Sequence, residues 1–246
     1  MENLVNQLFK QKFRNKKILI FGNSGFVGSW LSLSLNLFGA KILGVSLKMN
    51  GTNYLSNTSD FKKNFKTINC DLKNLNKIRS NILKFKPNIV IHLASQPIVK
   101  IGFSNPSETY ETNIFGTIKI LEISRKIPSI RKILIFTSDK VYSNNNKILT
   151  EESSLGGLDP YSASKSAQDI IAQSYGFSFF SKTKVIILRS GNIIGGGDWA
   201  KNRLVPDLFL SLSKKKDIIL RNHKAIRPWQ HILNITDAIL LLLSKK

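Results

Sequence analysis

Cysteine and acidic residues are both scarce in this chain of 246 residues. Its single cysteine, Cys70, excludes an internal disulfide framework and fits a reducing compartment such as the cytoplasm. Long apolar runs are also missing: AILLLL, near the C-terminus, is far shorter than the roughly 20 residues that a bilayer-spanning helix needs. The N-terminal stretch MENLVNQLFKQKFRNKK has neither an apolar core nor a small-residue cleavage site, so we predict no signal peptide.

The shortage of acidic side chains makes the chain strongly basic. Its 37 Lys+Arg outnumber 15 Asp+Glu, which gives a formal net charge of +22. Such a surface favours anions, including nucleic acid, membrane headgroups and phosphorylated small molecules. The lysines are scattered, however, and no block of five or six basic residues occurs. We therefore expect neither nucleic acid nor a membrane as the main partner.

Short apolar runs alternate with longer amphipathic stretches from residue 17 onward. The runs are rich in Ile, Val and Leu without polar alternation, which predicts strands covered on both faces; they occupy residues 17–22, 41–47, 67–72, 88–95, 132–138 and 184–191. Helix-length segments include residues 74–86, 107–126 and 161–179. Repeated strand–helix–strand units predict an α/β fold, a Rossmann-like doubly wound parallel sheet with helices on both faces.

The first strand runs into GNSGFVGSW, which places Gly22, Gly25 and Gly28 between a strand and a helix. In this position the first glycine permits a sharp turn, the second lets backbone approach a pyrophosphate, and the third allows close helix packing. The following helix N-terminus presents free N–H groups to phosphates. The junction predicts dinucleotide binding, although a plain packing turn has the same spacing.

One expected feature is missing after the second strand. An acidic residue usually holds the adenosine ribose there, but GVSLKMNG offers Ser46 and Lys48. Because Lys48 could meet a 2′-phosphate, these residues leave the choice between NAD and NADP open. Asp71 follows the third strand and fits either an adenine contact or a helix N-cap.

Tyr161 and Lys165 lie four residues apart in DPYSASKSAQD, on one face of the helix that follows Pro160. An ammonium group near a phenol favours the phenolate, so we expect a lowered pKa for Tyr161 and a base for a sugar hydroxyl. The spacing alone is more often a surface pair. In LIFTSDKVYS (134–143), an apolar strand ends at Ser138, Asp139 and Lys140. These three polar residues are either a solvated strand end or a reaction site.

These motifs resemble those of a known family. The glycine turn, HLASQP (92–97), TNIFGT (112–117) and the Tyr161/Lys165 pair are similar to extended short-chain dehydrogenase/reductases that act on nucleotide sugars. Within that group, TSDKVY, LGGLDPYSASK, GNIIGGGDWAKNRLVPD (191–207) and AIRPWQHIL (225–233) resemble CDP-glucose 4,6-dehydratases. The resemblance covers nearly the whole chain.

The resemblance implies a reaction of deoxysugar and lipopolysaccharide O-antigen biosynthesis. NAD is bound tightly, the sugar is oxidised at C4, water is lost across C5 and C6, and hydride returns to C6. Tyr161 is then the base at the C4 hydroxyl, Lys165 holds Tyr161 and the nicotinamide ribose, and Ser138 bonds the C4 oxygen. The implied cofactor-binding residues are Gly22, Ser24, Gly25, Phe26, Val27, Gly28, Asp71, Leu72, Leu93, Ala94, Ser95, Asn113, Tyr161 and Lys165.

The acid–amine pair Asp139-Lys140 replaces the Asp-Glu of relatives that act on dTDP-glucose. The resemblance makes Asp139 the acid for the departing C6 hydroxyl, or part of the proton path. Lys140 then acts at C5, either as a base or by stabilising an enolate through its charge. The resemblance does not decide how the proton transfers at C5 and C6 are divided between Asp139 and Lys140.

The implied substrate contacts lie later in the chain. Arg203 and Arg227 are the expected diphosphate clamps and Asn192 is expected near the sugar or phosphate, while Asp198 and Trp199 shape the surrounding loop. We assign His92 to the core or the cofactor pocket. His92, His223 and His231 have no metal-ligand spacing, so we predict no metal.

Two domains and a homodimer are also expected. Residues 1–190 form the NAD-binding Rossmann domain with the catalytic residues, and residues 191–246 form an interleaved, partial substrate domain. The family continues beyond RPWQHIL, so the resemblance implies a truncated substrate domain whose last helix lacks a cover. The dimer is expected through helices 107–126 and 161–179. The alternative functions are a nucleotide-sugar 4-epimerase or reductase, and a cofactor-binding relative without catalysis.

Overall fold

The computed structural model describes residues 2–48, 55–143, 148–218, 220 and 223–245. Its strands are β1 (Lys17–Phe21), β2 (Lys41–Ser46), β3 (Lys66–Asn69), β4 (Ile89–His92), β5 (Lys132–Phe136), β6 (Lys184–Leu188), β7 (Asn192–Ile194) and β8 (Trp229–His231). The first six form one parallel sheet in the order β3-β2-β1-β4-β5-β6, and β7 pairs with β8 in a small parallel sheet. The order confirms the predicted Rossmann-like fold.

Helices cover both faces of the large sheet. They are α1 (Glu2–Phe13), α2 (Phe26–Leu37), α3 (Ser59–Asn64), α4 (Arg79–Phe85), α5 (Val99–Ser104), α6 (Pro106–Tyr110), α7 (Gly116–Ser124), α8 (Pro160–Phe179), α9 (Leu204–Ser213) and α10 (Ile232–Ser244). Among the described residues, no helix is both long and apolar enough to cross a membrane.

Alternate residues of the strands face two separate hydrophobic cores. On β1, Ile18 and Ile20 pack with α1, α2 and α10, whereas Leu19 and Phe21 pack with α4, α7 and α8. Side chains of a strand point alternately to its two faces, so an uninterrupted apolar run is needed when both faces are covered. Because both faces of the sheet are packed in this way, the carboxyl ends of the strands are held at one edge of the sheet.

The last helix corrects one expectation about residues 191–246. We expected the apolar residues of this helix to lack a cover. Instead, α10 packs beside α1 and α2 on the large sheet and buries Ile235, Ile239, Leu240 and Leu243. Its apolar side chains recur at helical spacing, so one face of α10 enters the core of the Rossmann layer.

Some predicted strands are longer than those observed, and two predicted helices are not regular α-helices throughout. Residues 88–95 and 132–138 were expected as strands, but β4 and β5 end three and two residues earlier. The expected helix 74–86 begins as a 3₁₀ helix, Leu72–Ile78, and the expected helix 107–126 contains a π-helical segment, Glu111–Phe115. The polar residues after β4 and β5 leave the sheet and line the space above it.

Candidate active site

A large cavity of about 1280 Å³ lies above the carboxyl ends of the parallel strands. Its walls include the turn after β1, the segments after β4 and β5, the start of α8 and residues from β7 to the region after α9. The strand order reverses between β1 and β4, and open α/β sheets bind ligands above such a switch point. The cavity is therefore the candidate site.

The glycine turn fits tightly between β1, β4 and α2. Gly22 has φ +86°, and a Cβ there would lie 2.7 Å from the Ala94 backbone N. A Cβ on Gly28 would lie 2.0 Å from the Gly22 carbonyl oxygen, so only glycine lets α2 pack this closely. Gly25 is the N-cap of α2 and lines the cavity, where a Cβ would meet nothing nearer than the Gly22 oxygen at 3.4 Å.

Most of the predicted cofactor contacts line this cavity. They are Gly22, Gly25, Phe26, Val27, Gly28, Asp71, Leu72, Leu93, Ala94, Ser95, Tyr161 and Lys165. Asp71 also caps the 3₁₀ helix after β3, because its Oδ1 accepts from the Lys73 N–H at 2.9 Å. Both interpretations of Asp71 are thus compatible with its position.

Two of the predicted contacts do not reach the cavity wall. Asn113 is fully buried: its Oδ1 accepts from the Gln96 N–H at 2.8 Å and its Nδ2 donates to Ser164 Oγ at 2.9 Å. Ser24 Oγ donates to Ser46 Oγ and to the Leu47 carbonyl oxygen. Both side chains hold other parts of the chain beside the cavity, and their contact with a cofactor stays a prediction.

The end of β2 supplies a hydroxyl where a carboxylate was expected. Ser46 is buried, lines the cavity and accepts a 2.5 Å hydrogen bond from Ser24 Oγ. Cys70, from the segment after β3, lines the same side, and burial raises the pKa of its thiol. The wall near an adenosine ribose is therefore uncharged at both residues.

Helix α8 brings Tyr161 and Lys165 to the cavity. Asp159 caps the helix by accepting from the Tyr161 and Ser162 N–H groups at 3.0 and 3.1 Å, and Pro160 occupies the first turn. The buried face of α8 recurs every three to four residues, so Tyr161 and Lys165 lie one turn apart on it. Both side chains line the cavity.

The tyrosine and the lysine do not interact as the sequence predicts. Burial raises the pKa of Tyr161, whereas a hydrogen bond to Ser138 and the charge of Arg203 act in the opposite direction. Lys165 Nζ donates to Gln168 Oε1 at 2.9 Å and to the Phe136 carbonyl oxygen at 3.2 Å. The expected lowering of the Tyr161 pKa by Lys165 is therefore wrong for the free chain, because desolvation dominates.

A buried network of hydrogen bonds continues from Lys165 through Gln168 into the core. Gln168 Nε2 donates to Thr117 Oγ1 at 2.9 Å, and Thr117 Oγ1 lies 2.9 Å from His92 Nε2. Thr117 Oγ1 donates its own proton to the Asn113 carbonyl oxygen at 2.6 Å. Burial, followed by the charge of Lys165, lowers the pKa of His92 to about 3, so this histidine is neutral.

Ser138, Asp139 and Lys140 follow β5 in a 3₁₀ turn beside Tyr161. Ser138 Oγ donates to Asp139 Oδ1 at 2.9 Å, and Lys140 Nζ lies 3.5 Å from the same carboxylate oxygen. The Ser138 hydroxyl also acts to lower the pKa of Tyr161. A serine hydroxyl has one proton, so Ser138 donates either to Asp139 or to the phenolate of Tyr161. All four side chains line the cavity.

The predicted substrate residues come from a later part of the chain. Asn192 on β7, Arg203 before α9 and Arg227 before β8 all line the cavity. Arg203 Nη1 is paired with Asp198 Oδ2 at 2.9 Å, which fixes the loop that carries both residues. Trp199 is not part of the cavity lining.

The three histidines lie in separate places. His92 is in the core, His223 lines the cavity, and His231 caps α10. Within the described residues, no group of three or more His, Cys, Asp and Glu side chains has the geometry of a metal site.

Sequence reasoning missed several residues that build the site. Asp159 was recognisable, because an aspartate before a proline is typical of a helix start. Gln168 and Thr117 are brought together only by the packing of α8 on α7. Arg189 makes a bidentate pair with buried Asp169, at 2.8 and 3.0 Å, and donates to Tyr142 Oη. No local sequence pattern predicts the pairing of Arg189 with Asp169.

Comparison with known proteins gives one family and several relatives. Residues 18–246 match the model of the NAD dependent epimerase/dehydratase family. The chain is 37% identical over 247 residues to a CDP-glucose 4,6-dehydratase of Salmonella typhimurium, and the match covers 91% of this chain and 65% of that protein. It is 32% identical to a dTDP-D-glucose 4,6-dehydratase of Dictyostelium discoideum, over 94% of this chain and 56% of that one. The chain thus spans less than two thirds of either relative.

Solved structures share the fold. A dTDP-glucose 4,6-dehydratase from Streptomyces venezuelae, solved with NAD, has a TM-score of 0.83 at 21% identity, and the match covers 93% of this chain and 72% of that one. A UDP-glucose 4-epimerase from Thermotoga maritima, solved with UDP-glucose, has a TM-score of 0.84 at 22% identity, over 94% of this chain and 74% of that one. At these identities the likeness concerns the fold alone.

Proposed function

Since this chain belongs to the NAD dependent epimerase/dehydratase family, we propose that it acts on a nucleotide sugar as a 4,6-dehydratase, with CDP-glucose as substrate and NAD as cofactor. The observation that carries the proposal is the meeting of Tyr161, Ser138, Asp139 and Lys140 in the cavity that the glycine turn also lines. A 4-epimerase needs the tyrosine but has no elimination for the acid–amine pair to catalyse. The 37% identity to a CDP-glucose 4,6-dehydratase supports the choice of nucleotide.

The wall of the cavity fits a dinucleotide. Gly25 keeps the space beside the N-terminus of α2 open, and that N-terminus offers N–H groups to a pyrophosphate. Ser46 offers a ribose hydroxyl a partner in place of the expected carboxylate. NAD supplies the chemistry of accepting hydride from C4 and returning it to C6.

Tyr161 takes the proton of the C4 hydroxyl in this proposal. The Ser138 hydroxyl favours the phenolate form of Tyr161 and donates to Asp139 Oδ1 in the free chain, so Ser138 must turn its proton away from Asp139 to bond the C4 oxygen. Lys165 lies one turn further along α8 and holds the ribose side of the site. Arg203 helps because its positive charge favours the phenolate form of Tyr161.

Asp139 and Lys140 carry the elimination. A ketone at C4 acidifies the C5 proton, so Lys140 beside C5 either removes that proton as the neutral amine or stabilises the enolate through the charge of its ammonium form. The proton lost from C5 passes through this pair to Asp139, which delivers it to the departing C6 hydroxyl, so that water leaves. The two groups share an ion pair at 3.5 Å, which keeps both within reach of adjacent sugar carbons.

Arg203, Arg227 and Asn192 bind the diphosphate and the sugar. Guanidinium groups match phosphate oxygens with paired donors, and the net charge of +22 attracts a dianionic substrate. Arg203 is already oriented by Asp198, so its loss of freedom on binding is small.

The test is incubation of the purified chain with NAD and CDP-glucose, followed by mass spectrometry of the sugar nucleotide. We expect a product lighter by one water. An isomer of unchanged mass identifies an epimerase instead. NAD binding without any conversion contradicts the dehydratase and leaves a cofactor-binding relative.

Variants separate oxidation from elimination. Asp139→Asn and Lys140→Met should still oxidise C4, so the absorbance of reduced cofactor accumulates while loss of water slows by about 10²–10⁴-fold. Tyr161→Phe should abolish both signals. Asp60→Asn, on α3, is the matched surface control and should match the unchanged chain. Loss of the reduction signal in Asp139→Asn would contradict the assignment of roles.

A further inference from the structure

Gln168 contributes the side-chain acceptor for the buried ammonium group of Lys165. Lys165 is 2% exposed, and its Nζ donates to Gln168 Oε1 at 2.9 Å and to the Phe136 carbonyl oxygen at 3.2 Å. An ammonium group has three N–H donors, so these two acceptors leave one donor for a ligand. Lys165 lines the cavity, so that donor is available to whatever binds there.

The orientation of the Gln168 amide is fixed from its other end. Thr117 Oγ1 gives its only proton to the Asn113 carbonyl oxygen, so it accepts from Gln168 Nε2 and from His92 Nε2. The Gln168 oxygen must then face Lys165. If the amide were flipped, its NH₂ group would face the N–H donors of Lys165. Thr117 Oγ1 would then lose the hydrogen bond that it accepts from Gln168 Nε2.

We propose that Gln168 is a positioning residue: anchored by Thr117 and His92, it holds the Lys165 ammonium group so that one N–H remains for the ribose of the cofactor. The identity of that ligand rests on the proposed function. The position of Lys165 itself does not, because every contact in the network is between residues of this chain.

The surroundings of Lys165 contain few charges that could replace Gln168. His92 on β4 is neutral, Tyr161 is on the same helix, and Asp139 and Lys140 follow β5 as an ion pair with each other. Burial lowers the pKa of Lys165 to about 7, so its charge near neutral pH depends on the acceptors that remain. Removal of Gln168 Oε1 favours the neutral amine, and a carboxylate at this position favours the ammonium form.

The test measures Lys165 directly, without cofactor or substrate. The chain is acylated competitively across a pH series and digested with trypsin, and the labelled peptide is quantified by mass spectrometry. Lys165 is the only lysine between residues 148 and 181, so its acylated peptide is unambiguous. In Gln168→Met the labelling midpoint should fall by about one pH unit or more, since a hydrogen bond to a charged group has roughly that strength.

Two further variants complete the design. Gln168→Glu should raise the midpoint above that of the unchanged chain, and it remains informative if Gln168→Met does not fold. Gln173→Met makes the same change on the same helix, where Gln173 Nε2 donates to Asp169 Oδ1 at 2.7 Å, and should leave the midpoint unchanged. Equal midpoints in the unchanged chain and in Gln168→Glu overturn the proposal, whatever the melting temperatures.

NAD affinity by titration calorimetry provides the second readout. We expect Gln168→Met to bind NAD about tenfold more weakly at pH 7, and Gln173→Met to bind it as the unchanged chain does. Shifted midpoints without NAD binding by any of these proteins would refute the proposed function and keep the positioning role. Unshifted midpoints with normal NAD binding would refute the positioning role alone.

Discussion

Burial determines the protonation of the central residues in the free chain. It raises the pKa of Tyr161 and lowers that of Lys165 to about 7, so the phenol keeps its proton at neutral pH. Ser138 and Arg203 act against burial at Tyr161. In the proposed reaction, the base at C4 therefore depends on contacts formed with the substrate, which add hydrogen bonds to the phenolate form.

His92 makes the stability of the chain depend on pH. Its pKa is about 3 in the folded chain against 6.5 in the unfolded chain, so between these values only the unfolded chain binds the proton. Stability should fall as pH drops below 6.5, at about 1.4 kcal/mol per pH unit for this group. In His92→Gln, which keeps a donor for Thr117, urea unfolding between pH 6.5 and 5 should show a slope smaller by that amount. Identical slopes would contradict a buried neutral histidine.

Gly25 and Gly28 should respond differently to the same added methyl group. Gly28→Ala forces Cβ to within 2.0 Å of the Gly22 oxygen, so we expect a loss of about 1–3 kcal/mol of stability. Gly25→Ala has room for Cβ at 3.4 Å but fills part of the cavity, so it should fold normally and lose NAD affinity. Thermal unfolding and calorimetric titration of both variants check this, and a stable Gly28→Ala protein would contradict the packing.

The start of α8 is the element that places Tyr161 at the cavity. Asp159 accepts from two backbone N–H groups and from Ser162 Oγ at 2.5 Å. Asp159→Ala should lower the free energy of unfolding by about 1 kcal/mol, the usual cost of a lost N-cap, whereas Asp159→Asn should retain most of it. Urea unfolding of the two variants makes the comparison. Equal losses would indicate that the charge, and not the cap, matters.

The existence of the elements follows from the sequence, whereas their ends depend on tertiary contacts. Uninterrupted Ile, Val and Leu predicted each strand of the large sheet, but β4 and β5 stop early because the chain turns away to line the cavity. The break in the predicted helix 107–126 has the same origin. Asn113 in its π-helical segment hydrogen-bonds across to Gln96 and Ser164, which periodicity cannot indicate.

At the scale of the molecule, motif spacing predicted which residues share the cavity but not how they interact. The glycine turn, Tyr161 and the Ser138 segment meet because carboxyl ends of parallel strands lie at one edge of a sheet. The pKa directions, the Gln168 network and the position of α10 depend on packing between distant segments. These contacts join residues that are far apart in the sequence, so no local sequence pattern predicts them.

The predicted homodimer also belongs to this scale. Helix α8 exposes Ile170, Phe177 and Phe179, with Phe177 96% exposed, and Phe115 is exposed in the π-helical segment. We expect these apolar side chains to be covered by a second copy of the chain. Sedimentation should give a dimer for the unchanged chain and a monomer for Phe177→Asp. Phe209→Asp, on α9, is the matched control and should remain dimeric.

The most direct test of the central claim is the reaction in deuterium oxide. If Tyr161 serves C4 while Asp139 and Lys140 remove water across C5 and C6, carbon C5 loses its proton and regains one from solvent. Incubation with NAD and CDP-glucose should then give a product that has lost one water and carries one deuterium, at C5, by mass spectrometry and NMR. A 4-epimer of unchanged mass without deuterium would contradict the assignment of elimination chemistry to this cavity.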